Sequence, residues 1–292
     1  LYTNPAGFPS GKPSLTILST NPWLYMYPTE ESIAALTSIS EDPAGGINSL
    51  YDQLTGSGTG LGVQAGMGFV GNGFGVGFIM MNDTFAYGQN FLGVTVSTAV
   101  TAALMAGISI PFEIGEFTLT PGLTLRPMYR MRAYDIGITS FLNLLTGDAA
   151  VDANVLAGTG LAFDFGLNVA YGPLTAALAI RDVGGTKMDY GVLTFDELMV
   201  ALDGGAVPEG EPIGEDTNFV IPASLHFGFM FHPDLAGLSF LIDPYVHAEY
   251  AANVGEGIEA KSFWSNLHLG AEIRTLRFIS LRAGLNQGYV TL

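Results

Sequence analysis

The sequence predicts an all-β fold: an antiparallel up-and-down transmembrane β-barrel with short helices in its outer loops, of about 12–14 strands when complete. Three observations predict it. Apolar residues recur with period two over long stretches. The face left between them is small, polar and thin in charge. Short turn-like joints alternate with long ones along the chain.

The period is clearest from Leu92 to Phe112. Leu92, Val94, Val96, Val100, Ala102, Leu104, Ala106, Ile108, Ile110 and Phe112 hold even positions, and Gly93, Thr95, Ser97, Thr101, Gly107 and Ser109 hold odd ones, with Ala99, Ala103 and Met105 the less polar exceptions. A helix would repeat every 3.6 residues, whereas a strand with two different faces repeats every two. The run is long enough for a membrane-spanning helix, but no Lys or Arg flanks it. The pattern returns downstream. Leu119, Leu123, Leu125 and Tyr129 alternate with Thr118, Thr120, Thr124, Arg126 and Arg130. Leu161, Phe163, Phe165 and Leu167 alternate with Gly160, Asp164, Gly166 and Asn168. Leu225, Phe227, Phe229 and Phe231 alternate with Ser224, His226, Gly228 and His232. A soluble sandwich turns its bulky face inward and its charges outward. Here the bulky face suits lipid and the Gly/Thr/Ser face a lumen. Only a closed barrel lets strands cross lipid with every backbone group paired.

The joints give the order of elements. Gly71-Asn72-Gly73, Gly115-Glu116, Gly172-Pro173, His232 to Gly237 and Thr275-Leu276 read as tight turns. Asn21 to Gly60, Asp83 to Asn90, Ala133 to Asn154, Gly184 to Thr217 and Asn253 to Ser262 read as long loops. Short turns at one end and long loops at the other are the layout of bacterial outer-membrane barrels. This spacing predicts about eleven strands, near 14–20, 61–70, 74–83, 92–112, 117–132, 155–171, 174–183, 218–232, 238–252, 263–275 and 277–292. An even number is the norm, so one or more strands are expected beyond the C-terminus. The expected domains are an N-terminal segment over 1–13 and a barrel over 14–292, with helical insertions near 29–55, 137–146 and 194–203.

Composition excludes several classes of function. Of 292 residues, none is cysteine, so no disulfide, thiolate nucleophile or Cys-based metal site exists. The net charge of −17 argues against nucleic acid as a partner. Gly66 to Gly71 matches a dinucleotide fingerprint on paper but lies inside a strand and opens no helix. No cofactor, metal or enzymatic activity is expected. The partners expected are the lipid bilayer and a hydrophobic small-molecule ligand.

Strand phase sends Arg126, Arg130, Asp164, Asp243, His247, Glu249, Glu272, Arg274 and Arg282 to the lumen. An Arg facing lipid would cost about 2–4 kcal/mol at the bilayer midplane. Two readings stay open for the arginines: ion pairs that brace the wall, or a strip that receives an anionic group. His226, His247 and His268 share that face. They suit a hydrogen-bonded network or, less simply, a metal or acid–base site. The helices offer apolar stripes: Ile138, Phe141, Leu142 and Leu145 on one, Phe195, Leu198, Met199 and Leu202 on the other. Either the stripes pack on each other and on the barrel rim, or they form a greasy capture site at the mouth.

Asn4-Pro5-Ala6-Gly7-Phe8 resembles the N-terminal signature of the FadL-type long-chain fatty acid transporters. Ile221-Pro222-Ala223-Ser224-Leu225 and the run Leu281 to Tyr289 resemble strands of the same broad superfamily, which includes PorV-like and TraF-like barrels. The resemblance implies that Asn4, Pro5, Ala6 and Gly7 belong to a hatch in the lumen. It implies passive uptake of hydrophobic molecules such as long-chain fatty acids across the bacterial outer membrane. Its other branch implies a non-transporting structural or secretion-accessory barrel. One departure stands out: few residues precede the first strand, and the helical insert near 29–55 follows it.

Overall fold

The computed structural model describes residues 4–7, 13–26, 58–88, 95–137, 154–208, 210–212, 219–238, 241–255, 262–276, 279–286 and 289–291. Sixteen strands follow a short 3-10 turn at Pro5–Gly7. They are β1 (Ser14–Met26), β2 (Thr59–Gly71), β3 (Phe74–Tyr87), β4 (Thr95–Ser109), β5 (Phe112–Ile114), β6 (Phe117–Gly137), β7 (Asn154–Tyr171) and β8 (Leu174–Arg181). After them come β9 (Thr186–Thr194), β10 (Glu211–Pro212), β11 (Phe219–Ile221), β12 (Ala223–Phe231), β13 (Asp243–Val254), β14 (Leu267–Thr275), β15 (Ile279–Asn286) and β16 (Tyr289–Thr291). Helix α1 (Phe195–Asp203) follows β9, and α2 (Phe263–Asn266) precedes β14.

All pairings are antiparallel. Leaving out β5, β9, β10 and β11, the remaining twelve strands form a ring in which β6 pairs with β7 and β16 with β1. No described helix is long and apolar enough to cross a membrane. The strands do the crossing. Leu123 and Leu125 on β6, Leu161 and Phe163 on β7 and Phe227 and Phe229 on β12 are all exposed. Their neighbours Thr124, Arg126, Ala162 and Asp164 are buried. The bulky face therefore points out of the ring and the small polar face into it, as lipid outside and a lumen inside require.

Tight turns set the register at one end. Asn72 (φ 54°) and Gly73 (φ 82°) both take left-handed backbone, the type I′ geometry that matches strand twist in a two-residue hairpin. Gly115 and Gly172 have φ of 62° and 54° at the next joints.

Several boundaries differ from the sequence reading, each for a physical reason. The run from 92 to 112 is not one strand. Strand β4 ends at Ser109 and β5 begins at Phe112; Ile110 N–H still donates to Pro121 O at 3.1 Å, but Pro111 has no N–H to donate. Pro222 divides β11 from β12 in the same way. Strand β1 reaches Met26 rather than stopping near 20. The supposed long loop from Gly184 begins with β9, which continues β8 along the edge of β7 after a kink at Asp182–Gly185. Lys187 and Asp189 interrupt its apolar pattern. They are the exposed face of a strand whose other face, Thr186, Met188 and Tyr190, is buried.

Helix α1 closely matches the expected insertion near 194–203. Thr194 Oγ1 accepts from Glu197 N–H at 3.3 Å, while Thr194 N–H donates to Glu197 Oε2 at 2.8 Å. This reciprocal capping box starts the helix at Phe195. The insertion expected near 29–55 lies outside the described residues, as does that near 137–146 apart from Gly137, which ends β6.

Candidate functional site

The lumen is best followed up β6, whose inward residues run Gly122, Thr124, Arg126, Met128 and Arg130. Gly122 pairs with Gly166 on β7, so two glycines lie side by side on the inner wall. The Pro5–Gly7 turn sits in that notch. A Cβ on Gly122 would overlap the Pro5 carbonyl, and one on Gly166 would overlap Asn4 Oδ1. Asn4 Nδ2 donates to Asn168 Oδ1 at 2.8 Å, and Asn4 Oδ1 accepts from Ala6 N–H at 2.9 Å. Gly7 N–H closes the turn on Asn4 O at 3.1 Å. Pro5 and Ala6 are buried. Asn4, Pro5, Ala6 and Gly7 thus form one turn seated on the inner wall, and the glycine pair that admits it was not singled out in the sequence. Its signal was present: two Gly at inward phase on successive strands.

One step above lies a buried ionic cluster. Arg126 Nε donates to Asp164 Oδ2 and its Nη2 to Asp164 Oδ1, both at 3.1 Å. The same Nη2 donates to Asp182 Oδ1 at 3.1 Å. Thr186 Oγ1 donates to Asp182 Oδ1 at 2.7 Å, and Asp182 N–H to Asp164 Oδ1 at 2.9 Å. Arg126 and Asp164 side chains are each 3% exposed. The cluster ties β6 and β7 to the kink between β8 and β9, where Asp182 holds a left-handed φ of 50°. Thr186 falls in the stretch expected to be a loop, and Asp182 at the end of the strand expected over 174–183; neither was singled out as a site residue.

Above the cluster the lumen turns apolar. Ile79, Ala103, Met105, Met128, Ala162, Met188 and Tyr190 are buried together, with Leu156, Phe219 and Ile221 against them. Tyr190 meets Phe219 edge-on at 5.3 Å. Arg130 is half-buried one inward position above Met128. Higher still, at the long-loop end, Leu198 of α1 is buried with Val96, Ala133, Ile136, Val155, Ala157 and Leu193. Ile138, Phe141, Leu142 and Leu145 lie outside the described residues, as do the side chains of Phe195, Met199 and Leu202. Their joint capture site therefore has one described member, and that member packs on the rim.

Strands β12 to β15 carry the other charged groups, which form two sets. Near the short-turn end, Glu272 receives Arg274 Nε at 2.6 Å and Arg282 Nε at 2.9 Å. Arg282 Nη1 reaches Asn21 Oδ1 on β1 at 2.6 Å, which bridges β15 to β1. Arg274 lies 4.3 Å over the Tyr245 ring, whose OH donates to Asp243 Oδ2 at 2.8 Å. His232 meets Asp243 Oδ1 at 2.7 Å. A cavity of about 970 Å³ opens here, lined by His232, Asp243 and Arg274 among others. In the second set, His226 Nδ1 meets Glu249 Oε1 at 2.5 Å and His226 Nε2 meets Ser224 Oγ at 2.9 Å. Glu249 pairs with His268 across the ladder, and a Cβ on Gly270 would overlap the His247 ring.

The large apolar hollows on the wall are of a different kind. One of about 750 Å³ is lined by Leu15, Ile17, Met67, Val76, Phe78 and Leu104, which face outward. These are lipid-facing grooves.

An antiparallel closed ring with an apolar exterior, tight turns at one end and longer connections at the other is the architecture of bacterial outer-membrane proteins. The chain is an outer-membrane β-barrel with an N-terminal segment lodged in its lumen. No family model matches the sequence, and no curated protein matches it. Among solved structures it is similar to the translocator domain of the autotransporter NalP from Neisseria meningitidis. The two share 10% identity and a TM-score of 0.48 over 98% of this chain and 87% of that one.

Proposed function

We propose that this barrel passes hydrophobic small molecules, such as long-chain fatty acids, across the outer membrane without energy input, as the resemblance to FadL-type transporters implies. The observation that carries the reading is the apolar section of the lumen. A barrel interior is ordinarily polar, yet here Met105, Met128, Met188, Ile79 and Tyr190 meet inside the wall. Each methylene that an acyl chain buries there gains about 0.8 kcal/mol. Unbranched methionines re-pack around chains of different shape. Arg130, next above on the same face, offers a cation to a carboxylate head. The Asn4–Gly7 hatch closes the lumen below until a ligand displaces it.

The test is binding of a fluorescent long-chain fatty acid to purified barrel, with uptake measured in cells. Met128→Asp and Met188→Asp should each weaken binding at least tenfold while unboiled protein still migrates as a folded barrel. Unchanged binding in both variants would refute this path. A capture role for the α1 stripe is tested separately with Leu198→Asp. Normal uptake in the Leu198→Asp, Met128→Asp double variant would leave the accessory-barrel reading in its place.

A further inference from the structure

We propose that Ser224, His226 and Glu249 form a catalytic triad in the lumen that cleaves carboxylic esters. The inference is independent of the uptake reading and rests on geometry alone. His226 bridges the other two side chains through its two ring nitrogens. Glu249 Oε1 lies 2.5 Å from Nδ1, and Ser224 Oγ lies 2.9 Å from Nε2. An ionised carboxylate only accepts, so Nδ1 carries the proton and Nε2 is left to accept from the serine hydroxyl. This is the nucleophile–base–orienter relation by which such triads are recognised, whatever the fold or chain order.

The strands build it without strain. Ser224 and His226 are two residues apart on β12, so both face inward. Glu249 is directly opposite Gly228 on β13, one inward position from His226. The absent side chain at Gly228 leaves the carboxylate room to turn toward the imidazole. The pair stays wet enough to react: His226 and Glu249 side chains are 21% and 39% exposed.

The surroundings fit an acyl substrate. Across the ladder, Ser224 is flanked by Arg181 on β8 and Asn253 on β13. Directly opposed residues share a face, so residues that carry N–H donors neighbour Ser224 on both adjoining strands. Between His226 and the Asn4–Gly7 turn, the inward positions of β8 are the small residues Ala177 and Ala179. The acyl chain would run beside these small residues.

The reaction balances without a cofactor. Ser224 Oγ attacks the ester carbonyl carbon as its proton passes to His226 Nε2. The carbonyl electron pair moves onto oxygen. Collapse of the tetrahedral adduct breaks the bond to the alcohol oxygen, which leaves with the proton from Nε2. Water then attacks the acyl-serine, giving one proton to Nε2. That proton returns to Oγ as the carboxylic acid departs. Glu249 positions the imidazole and stabilises its cation throughout.

The experiment uses the full chain in detergent micelles. A fluorophosphonate probe should add to wild-type protein, and mass spectrometry should place the adduct on the peptide containing Ser224. Hydrolysis of p-nitrophenyl butyrate should fall about a hundredfold or more in Ser224→Ala and in His226→Ala. Glu249→Gln should lower the rate and move the pH profile, which a purely structural carboxylate would not do. Unboiled migration on gels monitors folding of each variant, and labelling of wild-type protein stands without any variant. No adduct on wild-type protein, an adduct on another residue, or equal hydrolysis by wild type and Ser224→Ala would overturn the proposal.

Discussion

Replacing Arg126 with Met keeps most of the side-chain length and removes the charge. The guanidinium makes three hydrogen bonds of 3.1 Å to two carboxylates, in a site where Arg126 and Asp164 are 3% exposed and Asp182 is 8% exposed. Without it, Asp164 and Asp182 are left as like charges bridged by one backbone N–H. Hydrogen bonds to charged groups contribute about 1.5–3 kcal/mol each, but bonds to a shared donor do not add. Breaking a buried pair by removing one partner costs about 3–5 kcal/mol. That range corresponds to a loss of two to four powers of ten in the folding equilibrium, at about 1.4 kcal/mol per tenfold. The loss should appear in urea titrations of detergent-solubilised barrel, followed by gel migration of unboiled samples. Arg274→Met is the control, since that side chain is 46% exposed; exposed pairs contribute at most about 1 kcal/mol. Equal losses in the two variants, or a loss below about 1 kcal/mol for Arg126→Met, would refute the argument that the cluster fastens the kinked wall.

Gly166→Leu should push Asn4 off the wall and raise leakage of small solutes, measured by liposome swelling; Gly137→Ala, where a Cβ meets nothing within 4 Å, should not. Gly62→Ala should displace the Trp23 ring and press on the Asn82 carbonyl, both of which a Cβ there would overlap, and shift tryptophan fluorescence. The Glu197 carboxyl is held below its usual range by hydrogen bonds from the Thr194 backbone N–H and hydroxyl. A depressed value means the cap's contribution is present above the ordinary glutamate range and fades as pH falls through the lowered one. Protease cleavage within 195–218 should therefore rise on acidification in wild type and be pH-insensitive over that window in Glu197→Ala. Leu198→Ala should open the same segment to protease at every pH, since truncating a buried leucine costs about 2–5 kcal/mol.

Local rules on the chain were enough to settle the barrel and the direction each strand faces. A period of two fixes which residues share a face, and the cost of placing Arg126 or Asp164 in lipid fixes which face is inward. Turn chemistry at Asn72-Gly73 and the Thr194–Glu197 capping pair are likewise local, and both are where the residues put them. Facing across the ring is not local. That His226 meets Ser224 along one strand but Glu249 on the next depends on the β12–β13 register, which no short motif encodes. Asp182 joins Arg126 only because β8 kinks and carries on as β9, and charged residues on its outer face disguise that continuation as a loop. The methionines of the lumen come from three separate strands at one height, and the Gly122–Gly166 notch from two. Sequence spacing orders residues along strands; the heights at which strands meet, and so the sites, are decided by the hydrogen-bond ladders of the closed sheet.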